Sequence, residues 1–266
     1  MKLSIAQFDV ARGNPAKNLK QIAALAERAR AAGSDLLCLP EMCTTGFDWS
    51  FNATHLDAAS DDLARIAAIA QAEGLAICGS FLEKTESGRA ANCFHYFDQS
   101  GQRLAQYRKL HLFTLFREER HVEAGDRWAT FSTQFGELGA AICYDLRFPE
   151  LFRQLTAAGA WLQLLPSAFP HPRLEHWRTL VRARAIENQV YLVAINQCGV
   201  EGHGGEVGET QYFGHSMVVD PWGEIIAEAG EAADLLEVEV DPAEVDSVRS
   251  KLSAWDDRRT DVFGKL

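Results

Sequence analysis

Short apolar runs alternate with amphipathic stretches along the chain. Runs with the length and composition of buried strands occupy residues 2–8, 35–39, 75–81, 92–98, 104–108, 138–143, 160–165, 190–196, 214–220 and 234–240. Helical patterns cover residues 15–32, 60–73, 149–158, 173–188 and 241–249. The first of these helices has Asn14-Pro15 at its start and Gly33 just past its end, which is typical of a capped helix. Strands that alternate with helices predict an α/β protein with buried sheets.

Residues 1–266 are expected to form one domain, because no Pro-, Gly- or Ser-rich linker or change of composition interrupts them. Segments 31–40 and 157–166 both consist of a helix end, a glycine, an apolar strand and a proline. Either an α–β unit is used twice, in two similar layers, or an ordinary helix–strand connection occurs twice. The Gly-rich stretch 200–208 lacks the strand-to-helix setting of a phosphate-binding loop and is predicted to be a flexible surface loop.

Composition and charge narrow the class of protein. Hydrophobic residues make up 47% and charged residues 24% of the chain, a balance typical of a soluble globular protein. The net charge of −11 disfavours nucleic acid and anionic membranes as partners. No signal peptide or transmembrane run is recognisable, so we expect a cytoplasmic protein. Its six cysteines contain no C-x-x-C pair, and we expect them to be reduced and mostly buried.

Three predicted strands end in side chains that are able to do chemistry: Glu41, Lys109 and Cys143. Ligands of open α/β sheets gather beyond the carboxyl ends of the strands, where loops present reactive groups. Each residue also has a simpler explanation. Cys143 is equally well explained as the last buried residue of its strand, and a lone glutamate or lysine at such a position is usually an exposed residue without a catalytic role.

The three strand ends together resemble a known family. The segments Leu39-Pro40-Glu41, Arg108-Lys109-Leu110-His111-Leu112 and 142–150 (ICYDLRFPE) are similar, in order and approximate spacing, to the three catalytic segments of the nitrilase-like carbon–nitrogen hydrolases. The similarity continues through residues 182–191, Asn196, 214–216 and 220–224. This resemblance implies a four-layer α-β-β-α sandwich and a homodimer or higher homo-oligomer. It also implies hydrolysis of a small amide through a cysteine thioester, with no metal or organic cofactor.

The resemblance also implies roles for individual residues. Glu41 is expected to accept the thiol proton and return it to the departing ammonia. Lys109 is expected to stay protonated, to lower the thiol pKa of Cys143 and to stabilise the tetrahedral intermediate. The backbone N–H of Tyr144, the residue after the nucleophile, is expected to be a second oxyanion donor.

The segment around Cys143 resembles the amidase branch that includes omega-amidases, which cleave the terminal amide of 2-oxo acids such as 2-oxoglutaramate or 2-oxosuccinamate. Other substrates remain open within the family: nitriles, N-carbamoyl amino acids and deaminated glutathione. A non-catalytic binding protein on the same scaffold is disfavoured because all three catalytic residues are present. A cysteine redox sensor is disfavoured because no resolving cysteine is evident beside Cys143.

The remaining predictions concern substrate binding. Many family members carry an assisting carboxylate after the lysine. Counting back from Gly125, Glu118 is the match here, with Glu119 as the alternative. Arg147 either binds a substrate carboxylate or pairs structurally with Glu150, and the structural role is slightly favoured.

The remaining predictions concern aromatic residues, histidines and the end of the chain. Phe47, Tyr144 and Phe169 are candidate walls of the pocket. His111, His121 and His171 lack metal-ligand spacing and are expected to make local hydrogen bonds. Segment 255–263 is expected either to reach a partner subunit or to be a frayed end.

Overall fold

The computed structural model describes residues 1–203 and 208–263. Within them the strands are β1 (Lys2–Gln7), β2 (Leu36–Cys38), β3 (Ala76–Lys84), β4 (Ala90–Phe97), β5 (Arg103–Arg108), β6 (Thr130–Thr133), β7 (Gly136–Ala140), β8 (Leu162–Ser167), β9 (Tyr191–Asn196), β10 (Cys198–His203), β11 (Gly208–Phe213), β12 (Met217–Val219), β13 (Ile225–Glu228) and β14 (Asp234–Glu239). The helices are α1 (Pro15–Ala31), α2 (Trp49–His55), α3 (Ala59–Glu73), α4 (Pro149–Ala157), α5 (Leu174–Asn188), α6 (Pro242–Lys251) and α7 (Thr260–Phe263).

The protein contains two six-stranded mixed sheets with the same pattern of parallel and antiparallel strands. Their orders are β14-β1-β2-β3-β4-β5 and β13-β12-β9-β8-β7-β6. In each sheet three consecutive strands run parallel, β1-β2-β3 in the first and β7-β8-β9 in the second, and the flanking strands are antiparallel. The similar segments 31–40 and 157–166 supply β2 and β8, the middle parallel strand of each sheet. The structure therefore favours a repeated α–β unit over coincidence.

Alternate side chains of a strand point into different layers of the fold. On β2, Leu37 faces the cluster formed with α1 and α3, whereas Leu36 and Cys38 face the core between the two sheets. Helices α4 and α5 cover the other side of the second sheet with side chains such as Phe152 and Trp177. The predicted four-layer α-β-β-α sandwich is confirmed.

Several local predictions were wrong. The strand predicted over 138–143 ends at Ala140, and a 3-10 turn begins at Cys143. Strands β6 and β13 and helix α2 were not predicted, because short, half-exposed elements carry little periodic signal. Most of the segment predicted as a flexible loop pairs instead, since β10 and β11 form a two-stranded antiparallel sheet. Residues 204–207 of that segment lie outside the described residues.

The C-terminal segment is anchored by one aromatic residue. The Trp255 ring contacts the guanidinium groups of Arg153, Arg249 and Arg258 at 5.5, 5.0 and 3.2 Å from the ring centroid. Beyond it, α7 is exposed as far as the structure describes it. Among the described helices, none is long and apolar enough to cross a membrane.

Candidate active site

The three predicted catalytic residues meet where strand ends of the two sheets face each other. Glu41 follows β2 after Leu39-Pro40, and Lys109 follows β5 directly. Cys143 follows β7 in the second sheet. All three side chains are buried, with exposed fractions of 1%, 2% and 8% respectively. Residues about 100 positions apart in the sequence thus line one site.

Lys109 is held between two carboxylates. Its Nζ donates to Glu41 Oε1 at 2.8 Å and to both oxygens of Glu118, at 3.0 and 2.9 Å. Glu118 is 2% exposed, and its Oε2 also accepts the backbone N–H of Phe113 at 2.7 Å. Glu119 is exposed. Of the two candidate assisting carboxylates, only Glu118 lies in the site.

A buried amide, which the sequence analysis did not identify, joins the two carboxylates. Asn92 on β4 donates to Glu41 Oε1 at 2.8 Å and to Glu118 Oε1 at 3.3 Å. Its own oxygen accepts from Ser80 Oγ at 2.8 Å, and Ser80 Oγ accepts the backbone N–H of Met42 at 2.9 Å. These bonds fix Glu41 Oε1, whereas Glu41 Oε2 is buried without a conventional hydrogen bond among the described residues.

Cys143 begins a sharp 3-10 turn after its strand. Its φ angle is +45°, in the left-handed region that costs a residue other than glycine about 1–3 kcal/mol. The same region holds Met42, next to Glu41, and Arg117, next to Glu118. Strained backbone of this kind is concentrated at functional sites. The turn places the thiol at the cavity rather than in the strand.

Asp145, two residues after Cys143, ties the lysine segment to the cysteine turn. Its Oδ2 accepts from Tyr107 Oη at 2.7 Å and from Ile142 N at 2.8 Å. Its Oδ1 accepts from the N and Nδ1 of His111 at 3.0 and 2.8 Å. Asp145 is fully buried, so these four bonds satisfy it without water.

Burial and charge set the protonation states. Burial raises the pKa of Glu41, and the nearby Glu118 adds to this, while Lys109 opposes it. Burial disfavours the Lys109 ammonium, but the charges of Glu118 and Glu41 outweigh burial and hold its pKa well above the usual range. Glu41 is therefore suited to proton transfer, and Lys109 remains a cation.

Three competing effects set the pKa of the Cys143 thiol. Burial, reinforced by the charge of Glu41, holds the pKa of Cys143 well above that of an ordinary cysteine, although Lys109 lowers it. Lys109 therefore lowers the thiol pKa, as expected, but burial and the charge of Glu41 outweigh its contribution. The resting thiol is thus neutral, and a base must take its proton when it attacks.

A cavity of about 370 Å³ opens onto this group. Glu41, Lys109, Glu118 and Cys143 lie in its wall, and the aromatic side chains around them are Phe47, Trp49, Phe113, Phe116 and Tyr212. A smaller extension beyond Cys143 contains the other predicted wall residues, Tyr144 and Phe169, together with Arg147.

Arg147 has no ion pair with Glu150 in the part of the chain that the structure describes. Its guanidinium lies instead over the rings of Phe169 and Tyr144, with Cζ 5.5 and 5.9 Å from the ring centroids. The favoured structural pairing with Glu150 is therefore not found, and the guanidinium faces the cavity extension.

The three histidines differ in their surroundings. His111 bonds Asp145, as expected of a local hydrogen-bonding residue, whereas the rings of His121 and His171 contact Trp49 and Phe213. Within residues 1–203 and 208–263, no three His, Cys, Asp or Glu side chains are arranged to hold a metal ion.

Sequence patterns gave weak signals for the residues that were missed. Asn92 is a polar residue inside the apolar strand Ala90–Phe97, which is a recognisable anomaly. Tyr107 and Asp145 lie beside predicted catalytic residues, but only the packing of the two sheets shows that they bond each other.

Comparison with known proteins agrees with this site. The chain is 34% identical over 266 residues to a 2-oxoglutaramate amidase of Bacillus subtilis, with 98% of each chain covered. It is 33% identical over 271 residues to a deaminated glutathione amidase of Synechocystis, with 93% of this chain and 94% of the relative covered.

A solved amidase from Nesterenkonia matches with a TM-score of 0.84 at 28% identity, over 95% of this chain and 98% of that one. In that structure acrylamide has added to the active-site cysteine. The carbon–nitrogen hydrolase family matches residues 2–250. With its fold, its buried Glu41–Lys109–Cys143 group and a family match over most of its length, the chain belongs to the carbon–nitrogen hydrolase family.

Proposed function

We propose that the protein is an omega-amidase, which hydrolyses the terminal amide of a small 2-oxo acid such as 2-oxoglutaramate or 2-oxosuccinamate. The observation that carries this proposal is the buried Lys109 held at 2.8 Å from Glu41 and 2.9 Å from Glu118, beside a thiol in the same cavity. The identity to a relative that is a 2-oxoglutaramate amidase supports the choice of substrate.

The first half of the reaction forms a thioester. Cys143 Sγ attacks the amide carbonyl while its proton passes to Glu41, whose Oε2 accepts no competing hydrogen bond from another described residue. The oxyanion is stabilised by Lys109 Nζ and by the backbone N–H of Tyr144. Collapse breaks the C–N bond, and the proton held by Glu41 goes to the leaving nitrogen, which departs as ammonia.

The second half restores the enzyme. Glu41 takes a proton from water, whose oxygen attacks the thioester carbonyl, and the collapse of that intermediate releases the carboxylic acid and returns a proton to Cys143. Glu118 keeps Lys109 in position, through two hydrogen bonds to its ammonium. The mechanism uses no metal ion or organic cofactor.

The cavity also suits an anionic substrate. Arg147 has no carboxylate partner within the described part of the chain and lies beside Cys143 in the cavity extension. We assign it to the carboxylate of the 2-oxo acid, because a guanidinium binds a carboxylate through two parallel hydrogen bonds. Phe47 and Phe169 would flank the carbon chain.

We also propose a homodimer in the cytoplasm. Ile186 on α5 is 47% exposed and lies against Gly223, whose chain neighbour Trp222 is 51% exposed, and apolar residues on an outer helix are suited to a subunit interface. Light scattering that gives the mass of one 29.5 kDa chain would reject the dimer, and Ile186→Glu should shift a dimer toward monomer.

The first test is ammonia release from 2-oxoglutaramate by the wild type, Cys143→Ala and Cys143→Ser. Cys198→Ala is a matched control, since Cys198 is a buried thiol outside the cavity. We expect turnover by the wild type and the control, none by either Cys143 variant, and an acyl-enzyme mass after acid quenching of the wild type.

Two results would contradict the proposal at different levels. Cysteine-dependent turnover of another amide or a nitrile, without turnover of 2-oxoglutaramate, would reject the substrate. If no member of an amide, nitrile and carbamoyl panel were turned over, the binding-protein alternative would replace the enzyme.

A further inference from the structure

The cavity has a small extension immediately beyond the nucleophile. About 20 Å³ of free volume, room for one small polar group, lies between the Cys143 turn and the segment that leads into α5. Phe113 and Phe169 contribute apolar walls, and two arginines, Arg147 and Arg173, contribute the charge. Arg173 was not among the site residues predicted from the sequence.

Both guanidinium groups are held by aromatic rings and weak polar contacts. Arg173 Cζ lies 5.6 Å from the centroid of Phe113, and Arg147 Cζ lies 5.5 Å from that of Phe169. Arg173 Nη1 donates to the carbonyl of His171 at 3.1 Å, and Arg147 Nη2 is 3.4 Å from His176 Nδ1. These contacts use few of the five N–H groups that each guanidinium offers.

The two guanidinium groups line the same recess. Across residues 1–203 and 208–263, neither arginine pairs with a carboxylate, although both are half-buried. Burial lowers the pKa of Arg173, and the charge of Arg147 lowers it further. By contrast Arg12, elsewhere in the cavity wall, is neutralised by Asp48 at 3.5 Å and Glu201 at 3.7 Å.

Two like charges held together in a partly buried position are unfavourable unless an anion joins them. Arg173 also precedes α5 as its N-cap residue, so the positive end of that helix dipole adds to the local potential. The extension is therefore a built, positively charged recess that borders on the reacting sulfur.

We infer that Arg147 and Arg173 together bind the carboxylate of the substrate, which makes Arg173 a specificity-determining residue. This inference rests on the proposed amidase function. The arginine pair would favour short-chain amides that carry a free carboxylate at the far end. It would disfavour neutral amides, which leave the two guanidinium groups without a counterion.

The kinetic test compares one amide in charged and neutral form. The substrates are succinamate and its methyl ester, which differ by the carboxylate alone. Arg173→Gln should lower kcat/KM for succinamate roughly 30- to 100-fold, mainly through KM, because a charge-assisted hydrogen bond made in both ground and transition states is lost. The ester should change less than about threefold.

Two further variants separate the effect of the Arg173 charge from the effect of its position and geometry. Arg173→Lys should recover part of the loss, since it keeps the charge and gives up the bidentate geometry. Arg178→Gln removes the same charge from α5 outside the cavity and should leave both substrates unaffected. Equal losses on succinamate and the ester, or no loss on either, would overturn the inference.

A binding measurement keeps the test independent of turnover. Calorimetry with succinamate in a Cys143→Ala background should show an affinity that falls at least tenfold when Arg173→Gln is added. If succinamate binds equally well with and without Arg173→Gln, the inference is overturned, whereas the proposed amidase function is unaffected. If binding depends on Arg173 but the wild type turns over no substrate, the carboxylate-binding role of the arginine pair is supported and the proposed function is rejected.

Discussion

Asp145→Asn tests whether one buried carboxylate holds the lysine and cysteine segments together. The substitution keeps the size of the side chain and removes its charge and one acceptor oxygen. Asp145 accepts four hydrogen bonds, from Tyr107, Ile142 and twice from His111. Whichever way the new amide turns, its NH₂ group faces two former donors.

The size of the effect follows from those bonds. A hydrogen bond to a charged group contributes about 1.5–3 kcal/mol, and two of the four are lost at a fully buried side chain. We therefore expect the free energy of unfolding to fall by roughly 3–5 kcal/mol. For a chain of this size that corresponds to a decrease in Tm on the order of 10 °C.

The effect on catalysis should be on kcat. Asp145 lies outside the cavity wall and bonds the residues that precede Cys143 and follow Lys109, so it is a positioning residue. We expect kcat to fall at least tenfold with KM nearly unchanged, because displacement of about 1 Å at reacting groups is costly. Urea unfolding and steady-state ammonia release measure the two effects.

Asp98→Asn is the matched control. Asp98 accepts three hydrogen bonds within a half-exposed turn at the other end of β5, from the N and Oγ of Ser100 and the N of Gln102. It should lose less than about 1 kcal/mol and no activity. If Asp145→Asn behaves like this control, Asp145 does not hold the two catalytic segments together.

Three further predictions concern the titration of the site and its chemistry. Because burial raises the pKa of Glu41, and its carboxylate must be ionised to accept the thiol proton, kcat/KM should fall with decreasing pH through a pKa above the ordinary 4.5. A pH profile whose acid limb lies at or below 4.5 would contradict this. Asn92→Asp places a further acidic group 2.8 Å from Glu41, so the acid limb should move to higher pH, and an unmoved limb in the same profile would count against the Asn92 contact. Incubation with EDTA should leave ammonia release unchanged, and a loss restored by added metal would contradict a mechanism built only on side chains.

A neutral resting thiol has a consequence for the reaction. Since the pKa of Cys143 is raised by burial and by Glu41, the nucleophile forms only as the proton moves to Glu41. Free thiolate would react with any electrophile that enters, whereas a thiol activated during attack needs a substrate placed between Glu41, Lys109 and Cys143. This arrangement links reactivity to correct binding.

The sequence by itself determined the fold class and the reactive strand ends. Apolar runs and helix caps are local properties, and they predict an α/β protein with buried sheets, whereas the four-layer sandwich was implied by the resemblance to a known family. Glu41, Lys109 and Cys143 were recognisable because each follows such a run in a segment that resembles a known family.

Only the tertiary structure decided how these residues are supported. Asn92 and Glu41 are 51 positions apart, and Tyr107 and Asp145 are 38 positions apart, so no local pattern predicts their bonds. The same packing selects Glu118 over the adjacent Glu119 and places Arg173 opposite Arg147. Buried polar atoms need hydrogen-bond partners. Which partners they have depends on how the two sheets pack, and this packing exists only in the folded protein.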